Sequence, residues 1–260
     1  SDIDNLRILD YLNEFFAFIF DKMSEQQSSQ GGIPGNATEL PQSTEFLVGK
    51  LLSQRKFFTN KTSVVERLDS SSISSSSTVF LSHCEDIAYI VDSACTKIMI
   101  EECKNLSLTA NDKIITSTIE IWKSQNVTLK HKLKKKLNTQ VQTVQVDQCQ
   151  NVNLQYEDPR NFHSVVWTNS DQVCLKVLEN GEEKHVLSTG DSFEQPTTTE
   201  ESVVQDTPSD KDPTKLNPYQ YIVRLIDDKL VTEMLIRAEK GFPTTQREWD
   251  EWKVKNNITS

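Results

Sequence analysis

The sequence is short of apolar residues and of long apolar runs. Hydrophobic residues make up 36% of the 260 residues, below the roughly 45 to 50% usual for globular chains when glycine is included. We therefore expect part of the chain to be disordered. The longest apolar run covers six residues, 15–20, whereas a membrane-spanning helix needs ~18. The N-terminus also lacks a signal-peptide pattern, so the sequence predicts a cytoplasmic protein without a membrane span.

The sequence also has fewer basic than acidic residues, and it lacks the residue patterns typical of most active sites. The 28 lysines and arginines against 38 acidic residues give a net charge of −10, which argues against a nucleic-acid partner because such proteins need an electropositive face. The seven glycines form no phosphate-binding loop. The four histidines and five cysteines show no paired ligand or catalytic spacing. We expect no enzymatic activity, no metal and no cofactor.

An internal repeat dominates the middle of the sequence. Segments 98–106, 119–127 and 144–152 align without gaps, and weaker copies lie at 79–87 and 165–173. Each copy alternates apolar and other residues, continues with Cys or Ser and then Asn or a similar residue, and ends on an apolar residue. The copies start 19 to 25 residues apart, too close for helical repeats, which need about 33. The pattern predicts a mainly β fold, a right-handed parallel β-helix (β-solenoid) of about five to six turns over residues 79–178.

Two columns of side chains are expected at the corner of this solenoid. One is a column of small side chains, Cys84, Cys103, Ser124, Cys149 and Ser170. The other is a column of residues that tolerate a left-handed backbone and can hydrogen-bond from turn to turn, Asp86, Asn105, Asn126, Asn151 and Gln172. The first column assigns three of the five cysteines a structural role.

Residues 1–78 are expected to form a helical extension with linkers rich in Ser, Gln and Gly. Apolar residues at helical spacing predict one helix over residues 3–23 and a shorter one over 44–58. The first helix has a wide apolar stripe, which suits packing on the protein's own core or in the groove of a partner.

The C-terminal part is expected to contain a disordered loop, a hairpin and a helix. Residues 179–216 form the loop, because residues 179–213 hold ten acidic residues and only two lysines. Within residues 217–238, strands over 219–225 and 229–235 predict a hairpin about the turn 226–228. Residues 239–260 form a helical extension that begins at Thr244 or Thr245.

One cluster of positive charge stands out against the acidic background. It comprises His131 and the lysines Lys130, Lys132, Lys134, Lys135 and Lys136. Leucines at 129, 133 and 137 alternate with the cluster, so we expect much of the basic charge on one exposed face. The cluster suits an acidic partner and equally a strand edge that lysines protect from aggregation.

The repeats and the hairpin resemble the C-terminal domain of the adenylyl cyclase-associated protein family, which recycles actin. In that family a β-solenoid with turns of this length ends in a hairpin, and its second strand reads Lys-Leu-Val-Thr, as residues 229–232 do here. The resemblance covers about residues 79–178 and 217–238. It implies a homodimer through exchange of the hairpin, with the apolar positions Tyr221, Val223, Leu225, Leu230, Val231 and Met234 at the interface. It also implies a cytoskeletal protein that binds monomeric actin and promotes nucleotide exchange without covalent chemistry.

Two other functions are compatible with the same fold. A structural or adaptor subunit of a larger cytoskeletal assembly would use the solenoid as a rigid spacer and the terminal helices as anchors, the last one through Trp249 and Trp252. The solenoid also resembles tubulin-folding cofactor C, whose relatives activate a GTPase through an arginine. Alignment on Cys103 puts Met99 at that position, so a cofactor C relative with this sequence would lack the activity.

Overall fold

The repeats fold as two facing β-sheets that wind up the molecule together. The computed structural model describes residues 54–132, 142–188, 220–236 and 244–258, which all belong to one compact unit, residues 49–260. These residues form the strands β1 (Arg55–Thr59), β2 (Val65–Leu68), β3 (Thr78–Ser82), β4 (Glu85–Val91), β5 (Lys97–Glu101), β6 (Lys104–Ala110), β7 (Thr118–Trp122), β8 (Gln125–His131), β9 (Gln142–Asp147), β10 (Gln150–Tyr156), β11 (Phe162–Thr168), β12 (Asp171–Glu179), β13 (Glu182–Ser188), β14 (Gln220–Ile226), β15 (Lys229–Ile236) and β16 (Thr244–Thr245). A short 3-10 helix (Pro159–Asn161) and the helix α1 (Gln246–Lys255) complete them.

Strands up to β12 alternate between the two sheets, so each pair of strands makes one turn. Sheet A has the order β1-β3-β5-β7-β9-β11-β14-β15-β16, and sheet B has the order β13-β12-β10-β8-β6-β4-β2. Every pairing among β1 to β12 is parallel. The strands therefore form six turns of a β-solenoid, which confirms the predicted fold class.

Equivalent repeat positions stack directly on one another and form the core. In sheet B, for example, Ile87, Leu106, Val127, Val152 and Val173 lie in register. All five side chains are buried between the sheets, and each such burial contributes roughly 1.5 to 3 kcal/mol. The one-in, one-out alternation of the repeat follows from the two-residue period of a strand.

The Asn column forms a hydrogen-bonded ladder along the corner between the sheets. The Asn105 amide donates to Asp86 at 2.9 Å, the Asn126 amide to Asn105 at 3.0 Å, and the Asn151 amide to Asn126 at 2.6 Å. All four residues have a left-handed backbone, with φ between 52° and 57°. Asn and Asp tolerate this conformation better than other residues that carry a β-carbon, which explains their place in the repeat.

Replacement of Asn126 by Ala should lower the free energy of unfolding by about 2 kcal/mol, because two side-chain hydrogen bonds and a favourable left-handed residue are lost together. Asn126→Gly is the matched control, since glycine adopts the positive φ without strain and loses only the ladder bonds. Urea unfolding of the three proteins measures both effects. A loss with Ala no greater than the loss with Gly would contradict this account of the corner.

The column of small side chains satisfies buried backbone groups of the same corner. Ser124 and Ser170 accept the backbone N–H groups of Cys103 and Cys149 at 3.1 Å. Each serine also donates to the carbonyl two residues earlier, at 2.8 and 2.9 Å, and the thiols of Cys84, Cys103 and Cys149 donate to the corresponding carbonyls. The position therefore needs a small side chain that both donates and accepts, and Ser and Cys meet this requirement.

The first turn begins earlier than the sequence predicted. The expected helix over 44–58 is wrong at its end, because residues 55–58 belong to β1, which pairs with β3. Asn60 and Ser63 have left-handed φ values like those of His83 and Asp86 in the next turn, so residues 56–64 are a further copy of the repeat. This copy did not match the repeat pattern in the sequence, because Lys61 occupies the position that is Cys or Ser in the other copies. Residues 3–23 and the rest of the N-terminal extension lie outside the described residues.

The acidic loop also begins later than predicted. The interpretation of residues 179–216 as disordered is wrong for residues 182–188, which form β13 antiparallel to β12. The connecting residues Asn180 and Gly181 both have positive φ, 52° and 81°. Asn-Gly is the preferred pair for a two-residue hairpin turn. This dipeptide indicated the hairpin, but the acidic composition of the following residues favoured a disordered loop.

The predicted C-terminal hairpin and helix are present. Strands β14 and β15 flank Asp227 and Asp228, whose φ values of 52° and 60° give the left-handed turn that joins twisted strands. Helix α1 starts after Thr245, whose side chain accepts the N–H of Glu248 at 3.3 Å. This N-cap confirms the second of the two predicted start positions.

Candidate partner-binding surface

The predicted lysine cluster begins at the end of β8. Leu129 and His131 point into the core and are buried, whereas Lys130 between them lies on the outer face of sheet B. Lys132 follows β8 directly and is exposed. Lys134, Lys135 and Lys136 lie outside the described residues. The structure thus places two of the five predicted lysines at one end of one strand.

His131 is not part of this basic surface, which corrects its inclusion in the cluster. Its ring lies parallel to that of Tyr156 with centroids 4.4 Å apart, and Tyr156 in turn meets Phe162 edge-on at 5.1 Å. Burial raises the pKa of the Tyr156 hydroxyl. These two ring contacts pack the ends of β8 and β10 together in the core. They therefore hold the position of the backbone that carries Lys130.

The outer face of sheet B carries mostly small or polar side chains around Lys130. One outward column contains Ala88, Ser107, Thr128, Asn153 and Cys174. In the neighbouring column, Thr109 and Gln155 lie on either side of Lys130. Lys130 is partly exposed and has a longer side chain than either neighbour, so a partner at this face could reach its ammonium group.

Other cations near this face already have carboxylate partners. Arg67 bonds Asp92 at 2.7 Å, Lys176 bonds Glu183 at 2.6 Å, and the exposed pair of Lys132 and Glu157 is 3.3 Å apart. Lys130 has no carboxylate within ion-pair distance among the residues that the structure describes. An acidic partner would therefore meet Lys130 without competing with an ion pair among the described residues.

The outer face of sheet A has a different character. Its first two strands present an apolar patch where Phe57 meets Phe80 edge-on at 5.5 Å, and Phe57 remains 43% exposed. Further along, Lys97 pairs with Glu120 at 2.8 Å. Burial raises the pKa of the Asp147 carboxyl, although the charge of Lys123 opposes this shift. The described lysines of the predicted cluster, Lys130 and Lys132, lie at the end of β8 in sheet B and not on this face.

The six predicted interface residues of the hairpin lie at the end of the solenoid. Strand β14 pairs antiparallel with β11 of the same chain, and the ring of Tyr221 stacks on Trp167 at 5.7 Å. Val223 and Leu230 are also buried in the core. Leu225 and Met234 are partly buried against it, whereas Val231 is opposite Arg224 on the outer side. Within this single chain the hairpin folds back on its own solenoid.

Helix α1 is attached to the hairpin by a network of ion pairs. Arg247 bonds both oxygens of Glu233, at 2.9 and 3.1 Å, and Arg224 bonds Glu248. The Arg224 guanidinium lowers the pKa of the Glu248 carboxyl. Trp249 stacks on Trp252 at 5.2 Å, and Trp252 remains 47% exposed. Sequence reasoning found the helix but not this network, because the partners lie 14 and 24 residues earlier in the chain, beyond the reach of a local helical pattern.

A row of serine, histidine and glutamate also crosses one corner and was missed from the sequence. The Ser82 hydroxyl lies 2.6 Å from Nδ1 of His83, and His83 Nε2 lies 2.8 Å from Glu102. His83 and Glu102 occupy equivalent positions of successive turns, which was the signal in the repeat. The row resembles a nucleophilic triad in composition, but Ser82 is buried at 5% exposure. A buried hydroxyl cannot reach a substrate, so we interpret the row as a structural contact.

Neither a metal cluster nor a membrane helix is found in the described parts of the chain. Across residues 54–132, 142–188, 220–236 and 244–258, no three His, Cys, Asp or Glu side chains are arranged to hold a metal ion. No helix among these residues is long and apolar enough to cross a membrane.

Comparison with known proteins finds a matching family and a solved structure with some similarity. The family described as "Adenylate cyclase associated (CAP) C terminal" matches residues 49–196, more than half of the chain. Among solved structures, the cyclase-associated protein from Cryptosporidium parvum is similar at 16% identity with a TM-score of 0.44. The similarity covers 80% of this chain and 99% of that one. No curated protein matches the sequence.

Proposed function

The chain belongs to the family of adenylate cyclase-associated protein C-terminal domains, and on this basis we propose that it binds monomeric actin and promotes exchange of the bound nucleotide. It does so as a non-enzymatic cytoskeletal protein of the cytoplasm. The proposed binding site includes Lys130 and Lys132 together with Lys134, Lys135 and Lys136. The observation that supports this site is Lys130, a cation on the outer face of sheet B that has no carboxylate partner among the described residues.

The proposal is tested by nucleotide release from ADP-loaded, fluorescently labelled monomeric actin. The unmodified chain should accelerate release, and the double variant Lys130→Ser, Lys132→Ser should weaken the effect about fivefold at low salt. This estimate takes about 0.5 kcal/mol for each exposed charge contact. The effect of the unmodified chain should also fall with added salt, because exposed charges are screened.

The matched control is the double variant Lys104→Ser, Lys113→Ser, which removes the same charge elsewhere on the solenoid. Both control lysines are exposed, and neither lies in an outward column of sheet B beside Lys130. If both double variants slowed nucleotide release equally, the effect would depend on the overall charge of the protein and not on a site at Lys130. Absence of any binding to actin would reject the proposed function.

We also propose a homodimer through exchange of the hairpin. In the single chain, Tyr221, Val223 and Leu230 are buried against the strand β11 side of the core. An exchanged hairpin would make the same contacts with the β11 strand of a partner subunit, because the contacts depend only on the local pairing. The six interface residues named from the sequence stay a prediction in this arrangement.

A structural or adaptor role is the second candidate, and one observation favours it. The stacked pair of Trp249 and Trp252 leaves 47% of Trp252 exposed on a helix that is held by ion pairs. Exposed tryptophans of this kind are typical anchors for another protein. Under this alternative the actin assay would show neither binding nor exchange. A cofactor C activity is not supported, because Met99 on β5 is apolar and only 7% exposed.

A further inference from the structure

Two cysteines of the small column occupy consecutive turns. The corner position reads Lys61, Cys84, Cys103, Ser124, Cys149 and Ser170 along the solenoid, and the Lys104 N–H bonds the carbonyl of Cys84 at 2.9 Å. Cys149 occupies an equivalent position but has serines as both column neighbours. The column therefore contains one adjacent thiol pair and one isolated thiol in matching surroundings.

The geometry of the adjacent pair suits a disulfide. Neighbouring strands lie about 4.8 Å apart, and disulfides join Cα atoms that are about 4.4 to 6.8 Å apart. Cys84 and Cys103 occupy equivalent positions of neighbouring turns, since Ser82 and Glu101 pair in register and the Lys104 N–H bonds the Cys84 carbonyl. Formation of a sulfur–sulfur bond thus requires little movement of the two turns.

The two thiols differ in their electrostatic surroundings. The neighbouring Cys103 side chain lowers the pKa of the Cys84 thiol against the opposing effect of burial, and the backbone N–H and the charge of Lys61 also lower it. The neighbouring Cys84 side chain, together with burial, raises the pKa of Cys103. Cys84 is therefore the better nucleophile of the pair, and Cys103 keeps its proton. A cysteine beside a lysine is the usual setting of a reactive thiol.

We propose that Cys84 and Cys103 form a site of reversible oxidation by hydrogen peroxide. The Cys84 thiolate attacks one peroxide oxygen, the O–O bond breaks, and Cys84 becomes a sulfenic acid while the other oxygen leaves as water after taking up a proton. The Cys103 sulfur then attacks the Cys84 sulfur, the S–O bond breaks, and the Cys103 proton leaves with the hydroxyl as water. Two thiols are oxidised to one disulfide, and one peroxide is reduced to two waters.

Cys84 is only 1% exposed, so even an oxidant as small as hydrogen peroxide reaches it only when the first turn of the solenoid opens. Residues 59–62 of that turn lie over Cys84, and the Cys84 thiol donates to the carbonyl of Phe58 at 3.3 Å. The strands of this turn, β1 and β2, have five and four residues, and each pairs with one strand within the described residues. Such short terminal elements open more readily than central ones, and hydrogen peroxide is small enough to enter the opening.

The experiment treats the reduced full-length chain with hydrogen peroxide, blocks the remaining thiols, and maps peptides by mass spectrometry. We expect the peptides of Cys84 and Cys103 to become joined with the loss of two hydrogen atoms, and dithiothreitol to separate them. Loss of free Cys84 should be at least about tenfold faster than loss of free Cys149, because only the former has a lysine and a second thiol beside it.

Three variants distinguish the pair from general oxidation. Cys103→Ser keeps the fold, since serine already occupies positions 124 and 170, and should stop the reaction at a Cys84 sulfenic acid that dimedone traps. Cys149→Ser should leave the disulfide unchanged, and Lys61→Gln should slow its formation several-fold. The proposal is overturned if Cys149 is oxidised as fast as Cys84. It is also overturned if the joined peptides do not contain both Cys84 and Cys103, or if the half-exposed Cys174 reacts while Cys84 does not.

Discussion

Replacement of Leu230 by Asp should lower the free energy of unfolding by about 3 to 5 kcal/mol, the cost of an unpaired buried charge. Leu230 is 4% exposed in the core at the end of the solenoid and lies opposite Leu225 in the hairpin. Urea unfolding monitored by tryptophan fluorescence measures the loss, since Trp167 stacks on Tyr221 of the same hairpin.

Val231→Asp is the control, because it introduces the same charge one residue further along β15. Val231 lies opposite Arg224 on the outer side of the hairpin, so an aspartate there stays near water and near a cation. We expect a loss below about 1 kcal/mol. Equal losses at the two positions would show that β15 does not face the core as the structure has it.

The same variants test the proposed exchange of hairpins. If the unmodified chain is a dimer by sedimentation equilibrium, Leu230→Asp should convert it to a monomer, because the exchanged hairpin would carry the charge into the core of the partner. Val231→Asp tests a predicted interface residue that lies opposite Arg224 on the outer side of the folded-back hairpin, and loss of the dimer there too would place Val231 at the interface. A dimer mass that survives Leu230→Asp would reject the exchange, and an unmodified chain that is monomeric would do the same.

Replacement of Ser124 by Val should lower the free energy of unfolding by about 3 kcal/mol. Valine removes the acceptor of the Cys103 N–H and the donor to the Trp122 carbonyl, both of which are hydrogen-bonded by the buried serine. A buried backbone group that loses its partner costs about 1 to 3 kcal/mol. The branched side chain adds crowding against Cys103 and Cys149 in the column.

Ser124→Cys is the matched control, because a thiol both donates and accepts at the equivalent positions of neighbouring turns. We expect a loss below about 1 kcal/mol under reducing conditions. Thermal unfolding of both variants distinguishes the two cases. If the Cys variant were as unstable as the Val variant, the column would depend on hydroxyl chemistry and not on small side chains that donate and accept.

The solenoid could be predicted from the sequence because each corner position has the same requirement in every turn. The left-handed backbone selects Asn or Asp, and the buried N–H of the previous turn selects Ser or Cys. The first turn departs from this rule at Lys61. The described solenoid has no earlier turn, so no backbone N–H there needs an acceptor from the side chain at position 61. The departure hid the turn, and the helical spacing of nearby apolar residues then favoured the wrong element for residues 55–58.

The candidate site could be predicted only in part. Alternation around Leu129 placed Lys130 on the outside, as the structure has it, whereas His131, which was counted in the same cluster, is buried. The pairing of Lys132 with Glu157 and the absence of such a partner for Lys130 depend on how turns stack. The same is true of Glu233, which meets Arg247 only because α1 follows β15 closely in space. Contacts between distant parts of the chain leave no local pattern in the sequence.

The reversal of strand direction at the C-terminal end has a consequence for self-assembly. A parallel solenoid that ends on a parallel strand offers a template on which the first turn of another molecule could stack head to tail. Repeated stacking of this kind does not form a closed ring and gives an open filament. Here β13 and β14 run antiparallel to the last parallel strands. The outer edge of sheet B then carries Glu182, Glu183 and Lys184, and sheet A ends in the two residues of β16. The two hairpins act as a stop that keeps this repeat architecture from growing into filaments at that end.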